Sequence, residues 1–356
     1  RRTPASGDQL VPLLASPARS MADTGGKPQR PPPMDLSRTS EFPPLCLDAE
    51  AEAAAAALAA RSSSELRVVT WNVWFDSLAA DKRQVALLQE LLGRAPDVAC
   101  LQEVLPTFAA VVRGCAALLA VYDISPQDVG TYGCLMLVRK DLGATFSSSQ
   151  LPSCMGRTLL LADCCARVLG LRIITTHLES LNFAAKRREQ LQVAAPLLRA
   201  KPSSIICGDF NFDDTKTWGD WQRTAPAVPP ERLENHVLRE VLPDFVDAWR
   251  AVHPEDPGYT FDGETNPICV PDGKERMRYD RLMVSAARGS RLRASGAELL
   301  GTEEISACDW GVKPSDHYGL LVDMAVAPAG AAGEASVVER AWSAMSEGAR
   351  NLLAPR

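Results

Sequence analysis

The chain has 356 residues, 46% of them hydrophobic, enough to bury at least one sizeable core. A formal net charge of −6 excludes a protein that coats nucleic acid by charge alone, while leaving room for a short basic rim around a metal site. Its 10 cysteines form no CxxC pair, so neither a zinc spacing nor a disulfide framework is indicated, and most of them read as buried free thiols in a reducing compartment.

Residues 1–64 read as a disordered segment, rich in proline (Pro28, Pro31, Pro32, Pro33) and without sustained periodicity. Within it, Ala51–Ala60 is an alanine-rich run that could form a short helix, and Met21 and Met34 are both plausible starts. Residues 65–325 form the ordered domain. Arg67–Val73 reads as a strand, Lys82–Arg94 as an amphipathic helix, Asp97–Leu101 as a buried strand, and Pro106–Leu119 as a helix. Thr131–Val138, Thr158–Val168 and Leu171–Thr176 are further strands, and Phe183–Ala200 is a helix with Leu191, Ala194, Ala195 and Leu198 on one face. Ser203–Cys207, Tyr279–Val284 and Tyr318–Met324 complete the strands, which suits a sheet-on-sheet sandwich with helices outside. Residues 326–356 comprise a small-residue linker and a short helix over Val337–Leu353. No apolar stretch approaches the roughly 20 residues of a membrane span. The N-terminus lacks the order of a signal peptide, so an intracellular protein, nuclear or cytoplasmic, is expected, with no membrane partner.

Four short motifs lie at the ends of apolar strands, where polar groups can converge. Taken singly, Asn72 in Thr70-Trp71-Asn72 reads as a turn residue, and Glu103 in Leu101-Gln102-Glu103 as a helix N-terminal acid or a hard oxygen ligand for Mg²⁺. Gly208-Asp209-Phe210-Asn211 reads equally as an Asx-rich turn or as an acid and an amide projecting to one side of a strand end. Ser315-Asp316-His317 precedes the last strand, and Asp280 in Tyr279-Asp280-Arg281 offers a carboxylate to set an imidazole's tautomer.

In this order the four motifs resemble the endonuclease/exonuclease/phosphatase superfamily over roughly Leu66–Met324. The resemblance implies a DNase I-like four-layer α/β sandwich, two packed β-sheets flanked by helices. A fifth motif, His177-Leu178-Glu179-Ser180, looks like the 5′-tyrosyl-DNA phosphodiesterase branch. So do Met155-Gly156-Arg157-Thr158, Tyr259-Thr260-Phe261 and Gly319-Leu320-Leu321. One departure is Phe212-Asp213-Asp214, where some relatives carry a basic residue; two acids there repel a phosphate unless they bind metal or point away.

What the resemblance implies is a Mg²⁺-dependent phosphodiesterase, with Mn²⁺ as a possible substitute, acting as a monomer on DNA 5′ ends that carry a protein adduct. Glu103 would be the main metal ligand, with Asn72 nearby and Asp316 supporting the shell. Asp209 would activate the attacking water, Asn211 would stabilise charge at phosphorus, and His177 and His317 would donate to phosphoryl oxygens, with Asp280 orienting His317. Arg157, Ser180 and Phe261 would hold substrate; Trp218 reads rather as a loop anchor. Lys186-Arg187-Arg188 reads as a solvated helix face. Other phosphoesterases of the superfamily are the first alternative: an abasic-site endonuclease, a poly(A) nuclease, a sphingomyelinase or an inositol-phosphate phosphatase. The second is a catalytically silent binding module, against which all the expected positions are filled.

Overall fold

Period-two runs such as Val68-Val69, Leu160-Leu161, Ile173-Ile174 and Ile205-Ile206 leave an apolar side chain on both faces of a strand, so the strands need cover on both sides. A computed structural model of the chain describes residues 46–166, 170–220, 232–269, 274–306, 308 and 311–328, and supplies that cover as four layers.

In chain order the elements begin α1 (Asp48–Ala60), β1 (Glu65–Asn72), α2 (Ala80–Arg94), β2 (Val98–Val104), α3 (Pro106–Gly114) and α4 (Ala116–Val121). There follow β3 (Tyr122–Ile124), β4 (Gly133–Arg139), β5 (Ala144–Gln150), β6 (Thr158–Cys164), β7 (Leu171–His177), α5 (Ala184–Arg199) and β8 (Ser204–Asp209). The last third holds α6 (His236–Val241), β9 (Phe245–Asp247), α7 (Ala248–Val252), β10 (Phe261–Asp262), β11 (Arg276–Met277), β12 (Asp280–Ser285), β13 (Leu292–Leu300) and β14 (Gly319–Val326). Two six-stranded sheets result, ordered β13-β14-β1-β2-β4-β3 and β5-β6-β7-β8-β12-β9, with β10-β11 as a separate ribbon.

Val68, Cys100, Met136 and Val322 of the first sheet meet Leu160, Ile173, Ile205 and Leu282 of the second in the central core. The neighbours Val69, Trp71, Leu101 and Leu321 face outward, where Leu58, Leu88 and Phe108 of the helices cover them. On the far side Leu161, Ile174, Ile206 and Met283 lie under Leu191, Leu198 and Leu238. Within each sheet one central pair is parallel, β1 with β2 and β7 with β8. The four C-terminal strand ends therefore open at two sheet rims, and these rims face each other.

Several expectations change. The segment read as disordered up to residue 64 contains α1, whose Leu47, Ala51, Ala54 and Leu58 are buried against α2 and α4. Half of that stripe is alanine, so the helix shows little contrast between its faces, and only Leu47 and Leu58 mark it as a docking face. The helix read as Pro106–Leu119 is two, parted at the extended Cys115. Arg187 is not solvated: it is fully buried, paired with Glu234 and donating to the carbonyls of Glu179 and Leu181. The helix expected over Val337–Leu353 lies outside the described residues.

Candidate functional site

β1 delivers Asn72 at its last position, and parallel pairing sets it opposite Gln102 of β2. One residue further, β2 departs from regular pairing with β4, the register shifting between Leu101 and Val104, and Glu103 takes a φ of 58°. A non-glycine residue in the left-handed region is strained, and such strain gathers at functional sites. Here the bulge re-aims a carboxylate, and Glu103 Oε2 accepts the N–H of Phe75 at 3.3 Å. Glu103 thus lies within β2 rather than at a helix N-terminus.

In the second sheet, pairing sets His177 of β7 and Asp280 of β12 on either side of Asp209 of β8. That juncture requires Gly208: at φ 138°, a Cβ there would lie 1.8 Å from the Thr176 carbonyl oxygen. Beyond Asp209 the chain leaves the strand, with Asn211 at φ 57° and its side-chain amide donating to the Leu178 carbonyl at 3.1 Å.

The rims meet at Asp209. Asn72 Nδ2 donates to Asp209 Oδ2 at 3.0 Å, and the backbone N–H of Asn211 donates to Oδ1 at 2.9 Å, so both carboxylate oxygens are oriented. His177 Nε2 is 3.4 Å from Asp209 Oδ2 and 3.9 Å from Glu103 Oε1. Ser315 Oγ donates to the Asn72 carbonyl at 2.6 Å, fastening the turn before β14 to the end of β1.

The two imidazoles are set differently. Arg157 Nη1 lies 3.0 Å from His177 Nδ1. A guanidinium can only donate, so Nδ1 must accept and the His177 proton sits on Nε2, facing the acids. Burial, with Arg157 adding to it, pushes the His177 pKa down to about 3. His317 Nδ1 instead lies 2.7 Å from Asp280 Oδ2; burial opposes its charge, but Asp280 outweighs burial and holds the imidazole well above its ordinary value. Burial raises Asp280, whose Oδ1 has no hydrogen-bond partner among the described residues.

The carboxyls are crowded. Burial and then the nearby Asp316 push Glu103 up to about 7, and burial pushes Asp316 up to about 6 against the opposing pull of His317 and Arg83. Asp209 is held below its ordinary value: burial works against this, and His177, His317 and the Asn72 amide outweigh it. Ligand atoms of Glu103, His177 and Asp209 all lie within 4.8 Å of one another, as do those of Asp209, Asp280 and His317. Carboxylate oxygens at this density, with burial pushing Glu103 and Asp280 toward protonation, suit a divalent cation. Asp316 joins neither group and acts on Glu103 through its field.

The expected substrate residues have other neighbours. Arg157 is buried and spans Tyr132 Oη, His177 Nδ1 and Ser180 Oγ, so Ser180 holds Arg157 at 2.7 Å. Phe261 packs edge-on against His317 with ring centroids 5.1 Å apart. Trp218 is half-buried in the loop after β8. Asp213 accepts from Thr215, Lys216 and the Arg278 backbone, and Asp214 pairs with Arg250 and Arg278. Asp213 is therefore buried and committed to backbone and hydroxyl donors, and Asp214 is countercharged by arginines. Sequence reasoning missed Tyr132, Thr260 and Ser315 as site residues; Thr260, whose Oγ1 accepts the Asp280 N–H at 3.0 Å, and Ser315 carried a signal in the Tyr259-Thr260-Phe261 and Ser315-Asp316-His317 motifs, and Tyr132 carried none.

A profile of the Endonuclease/Exonuclease/phosphatase family matches residues 69–317. "Tyrosyl-DNA phosphodiesterase 2" of Xenopus laevis is 30% identical over 270 residues, covering 73% of this chain and 66% of that protein. The Homo sapiens protein of the same name is 27% identical over 273 residues, covering 74% and 69%. The chain thus spans about two thirds of the length of these curated relatives. Among solved structures, D. rerio TDP2 complexed with single strand DNA product superimposes with a TM-score of 0.60 at 25% identity, over 73% of this chain and 99% of that one. With the profile spanning both sheets and every rim residue from Asn72 to His317, the chain belongs to the endonuclease/exonuclease/phosphatase family.

Proposed function

We propose that the chain is a Mg²⁺-dependent phosphodiesterase, tolerant of Mn²⁺, that hydrolyses 5′-phosphotyrosyl bonds of DNA left by trapped topoisomerases. The chemistry rests on one observation above all: Asp209 is fixed through both oxygens between a neutral His177 and a charged His317, beside the crowded Glu103. The substrate rests on the relatives named tyrosyl-DNA phosphodiesterase 2 and on the single-strand product bound by the D. rerio protein. Residues 65–325 are proposed as the catalytic domain.

When bound, a divalent cation neutralises phosphoryl charge and lowers the barrier to attack. Glu103 holds it, with Asn72 alongside and Asp316 sustaining its surroundings. Asp209, kept ionised, takes the proton of the attacking water as the new P–O bond forms. His177 donates from Nε2 to a phosphoryl oxygen, and His317, with Nδ1 given to Asp280, donates from its other nitrogen; such bonds strengthen as charge builds. Asn211 steadies that charge near its backbone. The P–O bond to tyrosine breaks and releases phenolate, whose pKa of about 10 relaxes the need for a general acid. Arg157, through Ser180, fixes His177, and Phe261 backs His317. Action on trapped adducts would be nuclear; no helix among the described residues is long and apolar enough to cross a membrane.

Matched assays separate this reading from its relatives. The chain should cleave a 5′-phosphotyrosyl oligonucleotide in preference to abasic DNA, poly(A), sphingomyelin or an inositol phosphate. Preference for any of the others would keep the chemistry and replace the substrate.

A further inference from the structure

Arg83 lies in the first turn of α2 and is fully buried. Its guanidinium has five N–H donors, and each goes to a backbone carbonyl. Nε donates to Leu78 at 2.7 Å; Nη1 donates to Val73 at 3.2 Å and Pro314 at 3.1 Å; Nη2 donates to Trp74 at 3.4 Å and Asp76 at 2.6 Å. The Trp74 ring covers the guanidinium at 4.6 Å. Burial pulls Arg83 down to about 10, with Asp316 and Asp76 opposing, so it is a cation at neutral pH.

The carbonyls belong to two segments that shape the acidic site. In the loop after β1, the Trp74 N–H donates to Asn72 Oδ1 at 3.0 Å and the Phe75 N–H to Glu103 Oε2 at 3.3 Å. Trp74 sits at φ 59°, a conformation a tryptophan holds only when its surroundings impose it. The second segment is Pro314, next to Ser315, which bonds the Asn72 carbonyl. One side chain thus ties together the loop that orients Asn72 and Glu103 and the turn that carries Asp316 and His317.

We propose that Arg83 is a positioning residue of the metal site: by clamping residues 73–78 to Pro314 it sets Asn72 and Glu103 in the geometry that binds the cation. The proposal rests on the metal-dependent reading above. Lysine keeps the charge but offers three donors from a single nitrogen, so it cannot span five carbonyls.

The test is calorimetric titration of Mg²⁺ into the full chain and into its Arg83→Lys variant, with amide exchange followed in both. The unaltered chain should bind, and the variant should bind about tenfold or more weakly, the usual scale for lost support of a ligand. Exchange should quicken at residues 73–78 and 314–317, and excess Mg²⁺ should restore most of kcat, which a general loss of structure would not allow. Equal Mg²⁺ affinity in a folded variant overturns the proposal and leaves the metal reading intact. Absence of binding by the unaltered chain overturns the metal reading and this proposal with it. Should the variant not fold, the unaltered chain decides: Mg²⁺ must slow exchange in both segments together, and protection of one alone contradicts the clamp.

Discussion

His177 and His317 flank Asp209, and their protonation follows from one neighbour each. Arg157 cannot accept a proton, so it holds His177 neutral with Nε2 protonated; Asp280 holds His317 charged. Replacing Arg157 with leucine frees Nδ1 to carry the proton and should lower kcat about 10- to 100-fold, with the KM for substrate changed less. Steady-state kinetics of Arg157→Leu check this; an unchanged kcat would show that the tautomer is set elsewhere. Asp214 gives a separate pH prediction. Burial opposes its ionisation, but Arg250, Arg281 and Arg278 outweigh burial and depress its pKa. A depressed carboxylate adds stability that is present above its unfolded value of about 3.9 and is lost as pH falls through the lower folded value. Asp214→Asn should therefore lower Tm at pH 7 and flatten the fall in Tm between about pH 4 and pH 2. Thermal scans across that range test it, and parallel curves for the two proteins would contradict it.

At the scale of elements, the motifs were legible because each borders an apolar strand run, and a polar residue at the end of such a run lies at a sheet rim. Asn72, His177 and Asp209 close their strands, and His317 stands just before β14. Their mutual distances were not legible, because pairing between β7, β8 and β12 is set by tertiary packing. The bulge at Glu103 has no local signature: Leu101-Gln102-Glu103 reads as well for a helix start. β5 and β13 were missed because polar residues such as Ser147–Ser149 and Arg293 interrupt their patterns, as befits strands near a sheet edge. Helix α1 was legible as an alanine-rich run over Ala51–Ala60, but its docking was missed because alanine supplies half of its buried stripe. Leu58→Ala should cost about 2–5 kcal/mol of stability, since the leucine is almost wholly buried against the first sheet's helices. Denaturant unfolding measures this; a change well under 1 kcal/mol would mean α1 is an ornament. Gly208→Ala should abolish soluble expression or activity, because its Cβ would collide with the Thr176 carbonyl between β7 and β8.

For the whole molecule, the question is how an acidic chain acts on an anionic substrate. Its net charge of −6 counts acids that are already paired, such as Asp214, Asp247 and Glu234, and acids that gather where a cation fits. Loading the site with a divalent ion therefore reverses the local field where it matters, although the average remains negative. The account stands or falls on that coupling between metal, Asp209 and a phosphotyrosyl bond. The most direct measurement incubates the chain and its Asp209→Asn variant with a single-stranded oligonucleotide bearing a 5′-phosphotyrosine, with Mg²⁺ and with EDTA. The account predicts clean release of a 5′-phosphate end with Mg²⁺, none with EDTA, and a fall of about 10²–10⁴ in the variant. Release that survives EDTA, or an Asp209→Asn variant as active as the unaltered chain, would contradict it.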